Sequence, residues 1–492
     1  MNTADELVEE QVLIPEDRAS GCSSKFSFKK LWAFTGPGWL MSIAYLDPGN
    51  IAGDLQSGVY GGYKLLWVLL YATMFGLILQ ILAARLGVVT GRDLATVCRE
   101  QFNKPTSRTL WVMAEIAIIG SDIQEVLGSA IALKLLFGLP LWLGALITIC
   151  DTFTFLFLHF LGIRKLEAFF AFLISVMATC FWLNLLHIDV PVDAILVGCI
   201  VPRIPKGAFT QTIGLIGAVI MPHNLYLHSA LVQSRRVDKS DREKIKEANK
   251  YFAIEAAISL FVSFLINMAV VCVFAYATQQ NFAEKGEIEL NNAHIALEGL
   301  LGKWAVIVWG VGLLAAGQSS TMTGTYSGQF VMQGFVELPI APWKRVLVTR
   351  AIAIFPSLMI VIWGNVDNID EYLNVLQSFQ LPFALIPLLK FTSSRSVMGE
   401  FITPAKLVKF CSLMSVVVIL LNFYQALFMG LDLIVAIALL FTLGVVYVGF
   451  LVYVFRCPIV YPYSEEKKLI EEKSDQKSSS RDIELKTSAR TQ

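Results

Sequence analysis

Two four-residue runs carry chemistry that does not suit the apolar stretches around them. Asp47-Pro48-Gly49-Asn50 and Met221-Pro222-His223-Asn224 each put a proline in the middle of a long hydrophobic segment. Proline inside a helix costs about 3 kcal/mol, because it removes a backbone hydrogen bond and its ring clashes with the preceding turn. Glycine beside it weakens the helix further. An ionised aspartate at mid-membrane depth adds roughly 2.5–3.5 kcal/mol on insertion scales. A bare kink needs only the proline, so the remaining polar groups call for a ligand. Asp47 offers a hard anionic oxygen, Asn50 a neutral amide oxygen and Met221 a polarisable thioether; carbonyls freed near Tyr45 or Ala218 add further oxygens. Hard Ca²⁺ or Mg²⁺ gains little from sulfur, whereas softer first-row ions such as Mn²⁺ and Fe²⁺ gain more. Methionine in an apolar helix is usually packing, but a place one residue before a mid-helix proline, opposite the aspartate, points to a ligand.

The elements that must hold these residues are membrane spans. Of 492 residues, 55% are hydrophobic and 16% charged, a balance that excludes a soluble enzyme, a disordered chain and a secreted disulfide scaffold. Apolar runs of about the 20 residues needed to cross a bilayer lie near 31–55, 65–89, 109–133, 139–160, 166–186, 210–233, 251–277, 302–333, 345–363, 371–390, 407–426 and 431–455, giving twelve expected spans. The two broken runs are the first and the sixth. Equivalent elements five spans apart cross the membrane in opposite senses, the sequence trace of an inverted repeat whose substrate sits where two discontinuous helices meet. The expected organisation is a tail (1–30), a five-helix repeat (31–186), its inverted partner (210–390), two additional spans (407–455) and a second tail (456–492). Unwound backbone at that depth is tolerable only where it lines a cavity or binds an ion.

Charge placement sets the orientation. Twenty Lys and Arg residues, among them Arg85, Arg99, Arg164, the seven between Arg235 and Lys250, Lys390 and Lys409, flank one side; six (Lys64, Lys134, Arg203, Lys206, Lys285, Lys303) flank the other. By the positive-inside rule both termini are cytoplasmic. The outer connection 278–299 carries Glu284, Glu287, Glu289 and Glu298 against Lys285 alone, either a cation-concentrating mouth or a solvated loop. Lys plus Arg equal Asp plus Glu at 39 each, which removes the electrostatic argument for nucleic acid. The eight cysteines are scattered without a C-x-x-C pair and read as reduced thiols. The first thirty residues lack an apolar core and a small-residue cleavage site, so no signal peptide is expected. No N-x-Ser/Thr sequon is present, and heavy glycosylation is not expected. Each tail places an acidic residue four positions before Leu-Ile, Glu9 with Leu13-Ile14 and Glu465 with Leu469-Ile470, a pattern read by endosomal sorting adaptors and also common by chance.

The third span adds Glu115, Asp122 and Glu125, whose spacings of seven and three put three carboxyl groups on one helical face. Unpaired they would be costly, and Arg350 in the ninth span is the expected cationic partner. With Asp47 and His223 they form the kind of Asp/Glu/His row that relays protons in transporters, or else a structural ion-pair network. A proton can replace the metal's charge at Asp47 when the carrier resets empty. Asn267, Gln318 and Ser319 either line the same path or tie helix to helix, while Asp151 and Glu255 read as structural.

The paired D-P-G-N and M-P-H-N runs, with Gly317-Gln318-Ser319-Ser320-Thr321-Met322-Thr323-Gly324 in the eighth span, resemble the signatures of the Nramp divalent metal transporter family. Runs such as Ala218 to Leu231 and Leu373 to Pro387 are similar to its animal-type members, and the resemblance covers about 28–455. It implies an all-α, leucine-transporter-type fold and proton-coupled import of Fe²⁺ or Mn²⁺ into the cytosol, at the plasma membrane or an endosomal-lysosomal membrane. It also implies Asp47, Asn50, Met221 and the Ala218 carbonyl as ligands, with Asn374 at a position where some relatives carry a glutamine ligand. No resident cofactor is implied; metal and proton are cargo. Two rivals share parts of this pattern. A sodium-coupled carrier of amino acids or other organic solutes would keep small residues and free helix ends at the break, and a divalent-cation channel would favour a fixed filter. The absence of a G-x-x-x-x-G-K-[ST] loop and of room for a nucleotide domain disfavours a pump, and the lack of a soluble domain an enzyme.

Overall fold

The first expected span is three helices, not one. α1 (Phe28–Phe34), α2 (Pro37–Ile43) and α3 (Pro48–Gly61) are separated at Gly36 and again at Ala44–Asp47. Gly36 has φ 146°, a left-handed conformation that glycine adopts without strain, and a Cβ there would run into Glu167 and Arg235. Both later helices start with proline in the first turn, where the missing N–H is not needed.

The computed structural model describes residues 12–14, 26–148, 150–151, 154, 157, 162–283, 288–336, 342–363, 369–427 and 433–459; several side chains in 342–363, that of Arg350 among them, and those of 426–442 lie outside the described set. After α3 follow α4 (Leu66–Thr90), α5 (Leu94–Gln101), α6 (Lys104–Phe137), α7 (Leu141–Ile147), α8 (Ile163–Leu186) and α9 (Val192–Ile200). The second broken pair is α10 (Phe209–Val219) and α11 (Pro222–Leu231). Then come α12 (Arg242–Gln279), α13 (Ala293–Leu301), α14 (Lys303–Val336), α15 (Pro342–Trp363), α16 (Ile369–Thr392), α17 (Arg395–Met398), α18 (Ala405–Leu427) and α19 (Leu433–Arg456). The short helices α5, α9 and α13 lie in what the sequence reading treated as connections. Eight described helical stretches are long and apolar enough to cross a membrane by length and composition, against the twelve expected.

Packing concentrates around the two breaks. α6 runs along α14, α3 lies between α12 and α10, and α16 packs on α10, α6 and α18. Six helical stretches, those containing α3–α4, α6, α10–α11, α12, α14 and α16, are mostly buried among the described residues, whereas α18 is mostly exposed. The amino end of α2 is pinned from three directions. Glu255 of α12 accepts the N–H groups of Gly36 and, at 3.0 Å, of Gly38. Arg235 donates to the Ala33 and Thr35 carbonyls at 3.0 and 2.6 Å and to Glu167 Oε1 at 2.7 Å. Arg164 donates to Glu167 Oε2 at 3.1 Å and to the same two carbonyls at 2.7 Å each. Two residues, Val12 and Leu13, pair in parallel with Arg235 and Arg236 as β1 (Val12–Leu13) and β2 (Arg235–Arg236). The described cysteines are all free, as expected of scattered thiols.

Candidate metal site

Each break frees a carbonyl by the same arithmetic. A helical carbonyl accepts from the N–H four residues on, and that residue is Pro48 for Ala44 and Pro222 for Ala218. Asp47 and Met221 then occupy the N-cap positions of α3 and α11 with extended backbone, so both side chains start at the unwound points. Asp47 caps α3 by accepting the Asn50 N–H at 2.7 Å on Oδ1, and the same oxygen accepts the Asn50 side-chain amide at 2.7 Å. This cap fixes the carboxylate and leaves its other oxygen open. Asp47 Oδ2 and Asn50 Oδ1 are buried and accept no hydrogen bond among the described residues.

A cleft joins Ala44 and Asp47 to Met221 and His223 across the two breaks, with Ser121 and Glu125 of α6 and Ser320, Thr323 and Gly324 of α14 completing its wall. Asp47 and Met221 are each 1% exposed and His223 3%, so the cleft is closed to solvent. An orphaned buried oxygen costs about 1–3 kcal/mol and more when charged. Two of them lie one helical turn apart, one on Asp47 in the cleft that also holds the Met221 thioether, the other on Asn50 hydrogen-bonded to Asp47. They could form part of a donor set for a soft-tolerant dication. Ala218 is buried next to α3, its Cβ 3.5 Å from the place a side chain on Gly53 would occupy. The other freed carbonyl, that of Ala44, accepts from Asn224 at 3.4 Å, and the Tyr45 carbonyl is taken by Asn267 at 2.7 Å. Asn267 therefore satisfies broken backbone, one of the two roles left open by its sequence.

Of the carboxyl row, Asp122 and Glu125 meet at one point. A Cβ on Gly324 would lie 2.7 Å from Asp122 Oδ1 and 3.1 Å from both Glu125 oxygens, so the glycine of α14 makes room for two carboxyl groups. Ser121 donates to Glu125 at 3.2 Å. Glu115 stands two turns away, held by the Trp111 indole N–H at 2.8 Å. Arg350 is in α15, and its side chain lies outside the described residues. Gln318 donates to Asp151 at 2.7 Å and Ser319 to its own helix, so neither enters the cleft wall.

Asn374 lies elsewhere than the cleft. It lines a second pocket, together with Gly53, Gln56, Gln211, Glu289, Asp370 and Glu371. Its side-chain N–H donates to the Gly49 carbonyl at 3.1 Å, and its oxygen accepts from Gln124 at 2.9 Å. Gln124 and Asp370 were missed by the sequence reading. Gln124 sits between Asp122 and Glu125 with nothing in its spacing to mark it, although the glycine of D-P-G-N is its counterpart: a Cβ on Gly49 would lie 2.6 Å from Gln124 Oε1.

Two interrupted helices meeting at a buried oxygen-and-sulfur cleft, inside a nearly all-helical bundle, define a multi-pass carrier with a leucine-transporter-type fold of two inverted five-helix repeats. The chain belongs to the Nramp family, matching Natural resistance-associated macrophage protein-like sequences over residues 38–428. It is 53% identical over 424 residues to Natural resistance-associated macrophage protein 2 of Mus musculus, covering 80% of this chain and 74% of that protein. It is 51% identical over 407 residues to the metal transporter nramp1 homolog of Dictyostelium discoideum, with 82% and 76% covered. The crystal structure of the Eremococcus coleocola manganese transporter, bound to an aromatic bis-isothiourea substituted compound, superposes with a TM-score of 0.78 at 30% identity, over 90% of this chain and 97% of that one.

Proposed function

We propose that this protein imports divalent transition-metal ions, Fe²⁺ or Mn²⁺, into the cytosol with protons, by alternating access at the cleft between the two breaks. The observation that carries this reading is the pair of orphaned oxygens, Asp47 Oδ2 and Asn50 Oδ1, beside the Met221 cleft. Membership in a family that contains a metal transporter and a structural likeness to a manganese transporter support it. Asp47, Asn50 and Met221 hold the ion, with the Ala218 carbonyl freed by Pro222 as a further oxygen. Glu125 lines the same cleft and touches the place where Asp122 stands, so a proton arriving at Asp47 or His223 has a carboxyl pair to leave by. Glu115 extends that row towards the Lys104 end of α6, and Arg350, whose side chain lies outside the described residues, is the cation that the sequence offers to the row. Asn374 reaches the ion only if it leaves Gln124.

The first repeat spans 31–186 and the second 210–390, followed by two further spans (407–455); both tails (1–30 and 456–492) face the cytoplasm, following the distribution of basic residues. The plasma membrane or an endosomal-lysosomal membrane fits this topology, and the Glu9-Leu13-Ile14 and Glu465-Leu469-Ile470 patterns supply adaptor contacts for such sorting. Leu13 is 70% exposed, consistent with that role; Glu9 and the second pattern lie outside the described residues. The test is uptake into proteoliposomes of radioactive Mn²⁺ against labelled amino acids, with and without an imposed pH gradient. Mn²⁺ uptake driven by an acidic outside is expected. Amino acid uptake driven by sodium, or Mn²⁺ flux indifferent to pH, would replace this reading with a solute carrier or a channel.

A further inference from the structure

The pocket holding Asp370, Glu371 and Glu289 reaches the first break through Asn374, which lines that pocket but not the Asp47 cleft. Asn374 lines the acidic pocket and is bonded to the Gly49 carbonyl, two residues from Asp47. Both ends of its amide are committed. The Gly49 carbonyl can only accept, so Asn374 must present its NH₂ there, and its oxygen then needs a donor from the opposite side. Gln124 supplies it at 2.9 Å and donates as well to the Asp370 carbonyl, one turn earlier in α16, at 3.1 Å. Gln124 is fully buried on α6, and α6 and α16 are packed together there. A second glutamine, Gln377, also ties α16 to α6 through the Ala117 carbonyl at 2.8 Å, but it touches neither Asn374 nor Gly49 in this network.

We propose that Gln124 is a positioning residue that closes the acidic-pocket side of the ion path: it holds Asn374 across the passage between the Asp370 pocket and the Asp47 cleft. When α16 moves away from α6, Gln124 loses both of its acceptors together, and Asn374 is free to swing out of the passage with its oxygen available to a passing cation. The donor pattern makes the closure two-state rather than graded, since the Asn374 amide has a single orientation that satisfies Gly49 and Gln124 at once. This inference rests on the cleft being an ion site, and its test is therefore made without metal.

A cysteine at Gly53 reports the passage. Gly53 lines the acidic pocket, and a Cβ there would meet Ala218 and Asn374 at 3.5 Å and Leu215 at 3.8 Å, ordinary contact that a cysteine accepts. In the full-length protein reconstituted in liposomes, the reaction of Gly53→Cys with a membrane-impermeant thiol reagent is followed, with the same protein lacking that substitution subtracted. Adding Gln124→Leu is expected to raise the labelling rate about tenfold. Gln124→Met, which keeps the length of the side chain but has no N–H donor, is expected to do the same and covers the case in which the leucine variant fails to fold. Asn374→Ala should match them, and combining it with Gln124→Leu should add nothing, because both act through one contact. Gln377→Leu should leave the rate within about twofold of the parent, since it loosens the same helix pair without touching Asn374. Unchanged labelling in both Gln124 variants, or an equal rise in Gln377→Leu, would overturn the proposal. Raised labelling in a protein that carries no Mn²⁺ would leave the closure standing and remove the metal reading instead.

Discussion

Asp47 is legible in the sequence because an acid, a proline and a glycine together interrupt an apolar run long enough to be one continuous span. Gln124 is not, because a glutamine on a long helix looks the same whether it faces a neighbour or a gate; only the bonds to Asn374 and Asp370 give it away. The three carboxyl groups on one face of α6 were legible as a row, yet helical spacing does not say which of them meet. Asp122 and Glu125 converge at Gly324, and Glu115 is taken by Trp111. Replacing Asp47 with Ala removes the charged ligand and the α3 cap. Uptake of Mn²⁺ should fall below detection, while the protein still inserts, since the lost cap is worth only about 0.5–2 kcal/mol; normal transport by this variant would remove the site. Met221→Ala should leave Mn²⁺ transport partly intact and let Ca²⁺ or Mg²⁺ compete, read as inhibition of Mn²⁺ uptake by added Ca²⁺. A variant that still excludes Ca²⁺ would show that the thioether does not select. Gly128→Ala is argued from shape alone: its Cβ would run into the rigid Pro48 ring, so a loss of about 1–3 kcal/mol is expected as a lowered melting temperature in detergent.

At the scale of elements, the two breaks are built alike although their residues differ. Each has a proline four residues after an alanine carbonyl, an extended N-cap residue that lines the cleft, and an asparagine in the first turn. That likeness was readable because prolines and carboxylates are rare at such depth. The interruption at Gly36 was not, because its cause is tertiary: Arg164, Arg235 and Glu255 converge on backbone groups between α1 and α2, with Glu167 bridging the two arginines. The helices α5, α9 and α13 also escaped notice, being too short to register as spans. The buried Arg235–Glu167 pair makes a stability prediction. Arg235→Ala removes the buried one of the two guanidinium groups on Glu167 and on the Ala33 and Thr35 carbonyls, leaving Arg164 as their remaining donor. The cost should fall near the lower end of about 3–5 kcal/mol, because Arg164 still reaches Glu167 at 3.1 Å. Thermal unfolding of purified protein measures it, and an unchanged midpoint would mean that Arg164 alone holds the turn.

Across the whole molecule, charge is arranged for a cation crossing from one side to the other. Basic residues gather on the face where Arg164 and Arg235 pin α2, while Asp370, Glu371 and Glu289 share a pocket with Asn374. In the orientation proposed from the basic residues, an inside-negative potential would favour cation entry by about 2.3 kcal/mol per charge per 100 mV. The central claim is that the two breaks present oxygen and sulfur to one ion. Its most direct test is X-ray absorption at the manganese edge of Mn²⁺-loaded protein, beside the Met221→Ala variant. The account predicts oxygen neighbours with one sulfur in the parent, and loss of the sulfur alone in the variant. An all-oxygen shell in the parent, or a sulfur that persists in the variant, would contradict it.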